Sequence, residues 1–165
     1  MSTSPQITPP VDVVVMAAGM GTRMKSRLPK VLHRLAGRPL IGHVADTAVG
    51  LGARSLVVVT GHGADEVEAG LRQIAPQAPL AFVRQSPQLG TGHAVQQAAP
   101  HLPDDGIALI LSGDVPLIAA DTLRALVAAS GGERLALLTI ALADPTGYGR
   151  VLRAADGRVQ GIVEQ

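Results

Sequence analysis

The chain has 165 residues, a length that favours one domain, and 47% of them are hydrophobic. With one Phe, one Tyr and no Trp, the core must be built from Ala, Val, Leu and Ile, and no aromatic track is available for stacking nucleic-acid bases. The net charge of +1 gives no field for binding a polyanion. The composition therefore favours a small-molecule ligand over a nucleic acid.

The first ten residues are rich in Ser, Thr and Pro, and we expect residues 1–10 to be a disordered lead before one domain over residues 11–165. They lack the basic start of a secretion signal, and the apolar run from Val11 is too short to span a membrane. We therefore expect a cytoplasmic protein without a membrane partner. The absence of cysteine excludes disulfides and thiolate metal sites.

Strands alternate with helices along the predicted chain, beginning with a buried apolar strand at Val13. The elements that follow are a helix over Pro39–Leu51, a strand over Ser55–Thr60, a helix over Ala64–Ile74, a strand over Leu80–Val83, a helix over Thr91–Ala99, a strand over Ile107–Leu111, a helix around Leu123 to Val127, and a strand over Leu135–Leu142. A hairpin follows, from Arg150–Arg153 to Arg158–Val163, with its turn at Asp156-Gly157. This order predicts an open α/β domain whose mostly parallel sheet is covered on both faces.

The loop after the first strand has the character of a phosphate site. Gly19 and Gly21 allow positive φ and close approach of the backbone to a ligand. Four cations follow within nine residues of Gly21 and supply positive charge for a triphosphate: Arg23, Lys25, Arg27 and Lys30. The alternative for Lys25 and Arg27 is a solvated face. Ligands of open parallel sheets lie outside the C-terminal ends of the strands, where this loop is predicted.

Two common glycine motifs fit this loop poorly. In a dinucleotide-binding motif Met24 would stand in place of the third glycine, and no acidic residue ends the second strand. In a P-loop Met24 would again replace a required glycine, and Pro29 biases Leu28 away from the helix that should follow. Both interpretations are rejected.

A third pattern fits, and it extends over most of the chain. Its motifs are Ala17-Ala18-Gly19-Met20-Gly21-Thr22-Arg23-Met24, Pro29-Lys30-Val31-Leu32-His33, Gly37-Arg38-Pro39-Leu40, Gln85-Ser86-Pro87-Gln88-Leu89-Gly90-Thr91-Gly92-His93-Ala94, Gly113-Asp114-Val115-Pro116-Leu117, Asp144-Pro145-Thr146-Gly147-Tyr148-Gly149-Arg150 and Ile162-Val163-Glu164-Gln165. In these motifs the chain resembles the sugar-1-phosphate nucleotidylyltransferases, and most specifically the uridyltransferase half of the bacterial bifunctional N-acetylglucosamine-1-phosphate uridyltransferases. The resemblance covers Val11 to Gln165 and implies a truncated form of that domain, with its C-terminal hairpin incomplete.

The resemblance implies a Rossmann-like three-layer fold and the formation of UDP-N-acetylglucosamine and pyrophosphate from UTP and N-acetylglucosamine-1-phosphate. It implies Arg23 and Lys30 as catalytic residues and Asp114 as the ligand of Mg²⁺. The nucleotide would contact Ala17, Ala18, Gly19, Gly21, Thr22, Gln85, Gly90 and Thr91. Gly149 and Glu164 would contact the sugar.

Several points stay open at the level of sequence. Gln88 either helps to read the base or faces water. The five histidines have no metal-ligand spacing, so structural or surface roles are predicted for them. A related transferase for another sugar or nucleotide, such as CTP, and a truncated nucleotide-binding module without turnover are the alternative functions. We expect a monomer or a dimer formed through an edge strand.

Overall fold

The structure is a computed structural model that describes residues 9–21 and 24–164. The chain divides into two compact units, Met1–Arg134 and Leu135–Gln165. The disordered lead predicted for residues 1–10 lies mostly outside the described residues, and the single domain over residues 11–165 stays a prediction.

The first unit contains most of the predicted elements. They are β1 (Val11–Ala17), β2 (Arg34–Leu35), β3 (Arg38–Pro39), α1 (Leu40–Gly50), β4 (Ser55–Thr60), α2 (Ala64–Ile74), β5 (Leu80–Arg84), α3 (Thr91–Ala98), β6 (Ile107–Ser112) and α4 (Ala120–Ser130). Short 3₁₀ helices cover Lys30–Leu32 and Ala99–His101. No helix in the described part of the chain is long and apolar enough to cross a membrane.

The predicted parallel sheet is confirmed. Four strands pair in the order β5-β4-β1-β6, and every pairing is parallel. In the centre of the sheet Val13 lies opposite Leu56 of β4 and Leu109 of β6. Strands buried on both faces have no polar side to display, which explains why β1 and β4 are nearly continuous apolar runs.

Helices cover both faces of this sheet, so the three-layer α/β fold is confirmed. Val13 and Val15 point to the layer formed by α1, α2 and α4, and they join a buried cluster that includes Ile41, Val67 and Leu123. Val14 points the other way and packs with Val57, Val59, Ala94 and Ala98, the last two from α3. The alternation follows from the two-residue side-chain period of a strand.

The outer strand β6 is covered on one face only. Ile107, Leu109 and Leu111 are buried, whereas Ala108 and Ile110 between them are exposed. Its single neighbour in the described sheet is β1, as β4 is the single neighbour of β5.

The predicted strand over Leu135–Leu142 is wrong. These residues form no strand in the second unit, and Leu135 and Ile140 are 83% and 78% exposed. Strand preference expresses how well a side chain fits a pleated, half-buried surface, and the apolar residues of this segment have no such surface beneath them. The apolar pattern alone therefore predicted a strand in a segment that pairs with no strand among the described residues.

The predicted C-terminal hairpin is confirmed within the second unit. Strands β7 (Arg150–Arg153) and β8 (Val159–Val163) pair antiparallel, with a register shift between Leu152 and Arg153. Gly157 has φ of 84° and its N–H donates to the Ala154 carbonyl, which closes the turn. A second, shorter hairpin, β2–β3 in the first unit, was not predicted, because two-residue strands carry no periodic signal.

Candidate functional site

The loops that carry the sequence motifs follow strands of one parallel sheet. β1 ends at Ala17, β4 at Thr60, β5 at Arg84 and β6 at Ser112. Because these strands are parallel, their C-terminal ends lie at the same edge, where ligands of open α/β sheets bind. The structure therefore brings the opening loop, the Gln85 loop and Asp114 to one edge of the first unit.

The opening loop leaves the sheet directly after Ala17 and Ala18, both of which are buried. Gly19 is exposed, and Gly21 has φ of 59°, with its carbonyl accepting a hydrogen bond from the Met24 N–H at 2.8 Å. The loop therefore makes the tight turn that the glycine spacing predicted. Thr22 and Arg23 lie outside the described residues, so their predicted roles in phosphate binding and catalysis stay predictions.

Lys30 is held beside this turn by the 3₁₀ helix that it begins. The next residue, Val31, is buried and joins the main core cluster, which anchors the segment. Gly21 lies so close that a Cβ there would be 3.0 Å from the Lys30 Cβ. Position 21 thus requires glycine for two reasons: its positive φ and the close approach of Lys30.

Lys30 and Asp114 form an ion pair, with 2.5 Å between the lysine Nζ and the carboxylate Oδ2. Asp114 follows β6, and the N–H of Gly113 donates to the Met16 carbonyl at 3.0 Å, which extends the β1–β6 ladder to the residue before Asp114. The two side chains keep 43% and 30% of their exposure, so the pair is worth only ~0–1 kcal/mol. A phosphate and a cation can therefore separate the two groups at little cost.

Gln85 is the buried polar residue of the site, at 6% exposure. Its N–H donates to the Thr60 carbonyl at 2.8 Å, which continues the β4–β5 pairing by one residue. Its side-chain Nε2 donates to the Gly90 carbonyl at 2.9 Å and lies 3.1 Å from Nδ1 of His93. Gly90 then caps α3, whose first residue is the exposed Thr91. The structure thus brings together Gln85, Gly90 and Thr91, three of the residues predicted to contact the nucleotide.

Gln88 connects this loop to the opening loop. Its Nε2 donates to the Ala18 carbonyl at 2.7 Å, although the residue as a whole is exposed. Beyond the two roles that the sequence left open for Gln88, the structure shows a third, a contact between the two loops. Gly61, the residue after β4, makes room for it, since a Cβ there would lie 2.6 Å from Gln88 Nε2 and 2.9 Å from the Ala18 oxygen.

Gly61 was not among the residues that the sequence motifs predicted for the site. The available signal was its position, because a glycine directly after a buried strand often marks a close approach of another chain segment.

A neighbouring arginine, Arg84, is occupied by carboxylates rather than available to a ligand. Its Nε donates to Glu68 at 3.0 Å, and Nη2 pairs with Asp65. The hydrogen bond that Arg84 donates to Glu68, followed by the one that it donates to Asp65, raises the pKa of Arg84 above its usual value. This guanidinium therefore connects the end of β5 to α2, and we do not expect it to bind a phosphate.

The predicted sugar-contacting residues, Gly149 and Glu164, both belong to the second unit and are neighbours there. A Cβ at position 149 would lie 3.3 Å from a carboxylate oxygen of Glu164. Their contact with a sugar stays a prediction.

A resident metal would have a single carboxylate here. Among the described residues no group of three or more His, Asp or Glu side chains could hold a metal ion. One carboxylate suffices for Mg²⁺ when phosphates and water complete the coordination shell. Asp114 therefore fits an ion that would arrive with the nucleotide.

The fold places the chain in a class of proteins, the nucleotidyltransferases. A nucleotidyl transferase from Methanothermobacter thermautotroptrophicus aligns over 72% of this chain and 56% of its own, with a TM-score of 0.59 and 26% identity. A UDP-glucose pyrophosphorylase from Acinetobacter baumanii aligns over 64% of this chain and 46% of its own, with a TM-score of 0.56 and 26% identity.

The family follows from the sequence. The chain belongs to the MobA-like NTP transferase domain family, whose model matches residues 13–158. It is 68% identical over 157 residues to the bifunctional protein GlmU of Methylibium petroleiphilum, an alignment that covers 93% of this chain and 34% of that protein. The chain thus spans about a third of the length of such relatives, and the resemblance inferred from its motifs is confirmed.

Proposed function

We propose that the chain catalyses transfer of a uridylyl group from UTP to N-acetylglucosamine-1-phosphate, forming UDP-N-acetylglucosamine and pyrophosphate. The observation that carries the proposal is the Lys30–Asp114 pair beside the Gly21 turn. It places a cation that can move, and a carboxylate that can bind a metal, next to the glycine loop proposed to bind the phosphates. The similarity to the bifunctional GlmU protein supports the choice of substrates.

In this reaction a phosphate oxygen of the sugar phosphate attacks the α-phosphorus of UTP. The bond between the α-phosphorus and the bridging oxygen to the β-phosphate breaks, and pyrophosphate leaves. No general base is needed, because the second pKa of a phosphate monoester is about 6 and the nucleophile is already ionised at neutral pH. Bound Mg²⁺ supplies charge neutralisation of the phosphates.

The residues of the chain position the reactants and neutralise charge. The Lys30 ammonium leaves Asp114 and moves to the phosphates, where it opposes the negative charge that builds up during transfer. Asp114 would then hold the metal ion. The backbone of Gly19 and Gly21 approaches the phosphates, and Arg23 adds a planar donor suited to phosphate oxygens.

The first test is release of pyrophosphate in the presence of Mg²⁺, with UTP and CTP each paired with N-acetylglucosamine-1-phosphate and glucose-1-phosphate. We expect release from UTP with N-acetylglucosamine-1-phosphate in clear preference to the other three pairs. Equal release with another nucleotide or sugar would favour a related transferase. UTP binding without release from any pair would instead identify a nucleotide-binding module.

Substitution of Lys30 tests the proposed chemistry. We expect Lys30→Ala to lower kcat by ~10²–10³, the usual cost of one preorganised charge-stabilising donor, with an unchanged melting temperature. Lys25 is the matched control, because it is the chain's other lysine and lies in the same loop with its side chain exposed. The proposal fails if Lys30→Ala keeps more than about a tenth of the activity, or if Lys25→Ala loses as much.

A further inference from the structure

Three polar side chains form a connected row behind the proposed base site. Gln85 Nε2 lies 3.1 Å from Nδ1 of His93, and Nε2 of the same imidazole lies 3.1 Å from Nε2 of Gln97. His93 and Gln97 are four residues apart on α3, so they lie on one face of the helix. Gln85 is buried and the other two are partly buried.

The Gly90 carbonyl fixes which way the Gln85 amide faces. A carbonyl oxygen only accepts, so the group 2.9 Å away must be the amide nitrogen of Gln85. The second hydrogen of that nitrogen points to Nδ1 of His93, which must therefore accept. A neutral imidazole that accepts at Nδ1 carries its proton at Nε2.

The other side of the ring completes the assignment. With a proton at Nε2, His93 needs an acceptor, and the nearest group is the Gln97 amide. Two N–H donors facing each other would repel, so we assign the Gln97 amide the reversed orientation, with its oxygen in the place of Nε2 and toward the ring. The row then runs in one direction, from Gln85 as donor through His93 to Gln97 as acceptor.

This arrangement uses both N–H groups of the Gln85 amide. Its Oε1 accepts no hydrogen bond from the described part of the chain, so what remains for a ligand is an acceptor. Uracil presents a donor at N3, whereas cytosine presents a lone pair at the same position. An acceptor locked at this place therefore favours uracil and repels cytosine.

We propose that His93 is a positioning residue that holds the Gln85 amide with its oxygen toward the base, and so selects uridine over cytidine nucleotides. The inference rests on the proposed function, since it concerns the base of the same nucleotide. Without the imidazole only the Gly90 carbonyl still opposes turning of the Gln85 amide, so the turned form, which presents its NH₂ group to N3 of cytosine, becomes easier to reach.

Nucleotide binding to three variants tests the selection. His93→Leu removes the acceptor, His93→Asn restores one through Oδ1 near the place of Nδ1, and His101→Leu changes an exposed histidine outside the row. We measure dissociation constants of UTP and CTP by calorimetry. The ratio of CTP to UTP constants should fall about tenfold in His93→Leu, recover in His93→Asn and stay unchanged in His101→Leu.

The form of the change separates positioning from simple structural support. A merely structural role would weaken both nucleotides equally and leave the ratio unchanged in His93→Leu, which would overturn the inference. Equal binding of UTP and CTP by the wild type would instead overturn the proposed uridine function, and the selective role of His93 with it.

A second measurement tests the row without any nucleotide. Long-range ¹⁵N–¹H correlation spectra of the histidine rings distinguish the two neutral tautomers. We expect His93 to carry its proton at Nε2 in the free protein. A proton at Nδ1 would contradict the donor direction from Gln85 and would overturn the inference, whatever the nucleotide preference.

Discussion

At the residue scale, the lack of a side chain at Gly61 allows two loops of the proposed site to come into contact. Alanine at this position would place its Cβ 2.6 Å from Gln88 Nε2 and 2.9 Å from the Ala18 oxygen, and the latter belongs to the backbone. The Gln88 amide must then leave Ala18, and the opening loop loses its link to the Gln85 loop. We expect Gly61→Ala to weaken UTP binding about tenfold, as loss of a hydrogen bond and overpacking together predict.

Calorimetric titration with UTP checks this, beside thermal melting of the same samples. Gly50→Ala is the control, because a Cβ at this residue, the last of α1, would meet no atom within 4 Å. Its UTP affinity should equal that of the wild type. Unchanged UTP affinity in Gly61→Ala would show that the link between the loops is dispensable.

At the level of elements, an ion pair joins the start of β1 to the start of β4. Asp12 is buried and accepts from Arg54, at 3.1 Å from Nε and 2.5 Å from Nη2, and from the Ser55 hydroxyl at 2.6 Å. The hydrogen bond from Arg54 lowers the pKa of Asp12, opposed by burial and assisted by Ser55. The same contacts, with Asp105, raise the pKa of Arg54.

The pH dependence of stability follows from this shift. Because the native pKa of Asp12 lies below its unfolded value near 3.9, the ionised pair stabilises the fold above that pH. This stabilisation is lost as the pH falls through the native pKa. We expect Asp12→Asn to lower the free energy of unfolding by about 2 kcal/mol at pH 7, and by much less at pH 3.

Urea denaturation at the two pH values measures the effect. Asp121→Asn, which removes an exposed pair with Arg124, should change little. Asp12 and Ala17 stand at opposite ends of β1, about 16 Å apart, so UTP affinity should survive in folded Asp12→Asn. A difference from the wild type that stays constant from pH 7 to pH 3 would contradict the assigned pKa shift.

The elements also show what a sequence can predict of a fold. The strands of the parallel sheet were predictable because burial on both faces leaves continuous apolar runs, as in Val13–Val15, and the helices because one face repeats every three to four residues. Leu135–Leu142 was mispredicted because its composition has the apolar character of a strand, while pairing depends on a neighbour that the local sequence does not specify.

The candidate site, like the fold, could be predicted from the sequence only in part. The motifs predicted Lys30, Gln85 and Asp114 in loops that follow strands, but the pairing of Lys30 with Asp114 depends on β1 and β6 being neighbours, and strand order is not given by periodicity. His93 had no metal-ligand spacing, so the sequence favoured a structural or surface role. Its hydrogen-bond direction depends on the Gly90 carbonyl, which only the folded loop brings near Gln85.

At the scale of the whole molecule, the residues proposed for the nucleotide and for the sugar fall in different units. Gly21, Lys30, Gln85 and Asp114 belong to Met1–Arg134, whereas Gly149 and Glu164 belong to Leu135–Gln165. Both buried apolar clusters of the described chain are built from residues of the first unit alone. A unit that contains its own core can fold by itself.

We therefore expect a chain ending at Arg134 to unfold cooperatively and to bind UTP within about threefold of the full chain, a difference below 1 kcal/mol. The same chain should release no pyrophosphate, because it lacks the residues proposed to hold the sugar phosphate. Calorimetric titration and the pyrophosphate assay, run on both lengths, separate the two activities.

A Glu164→Gln variant of the full chain is the matched comparison: it should keep UTP affinity and raise KM for the sugar phosphate. Loss of UTP binding on truncation would instead mean that residues after Arg134 help to form the nucleotide site.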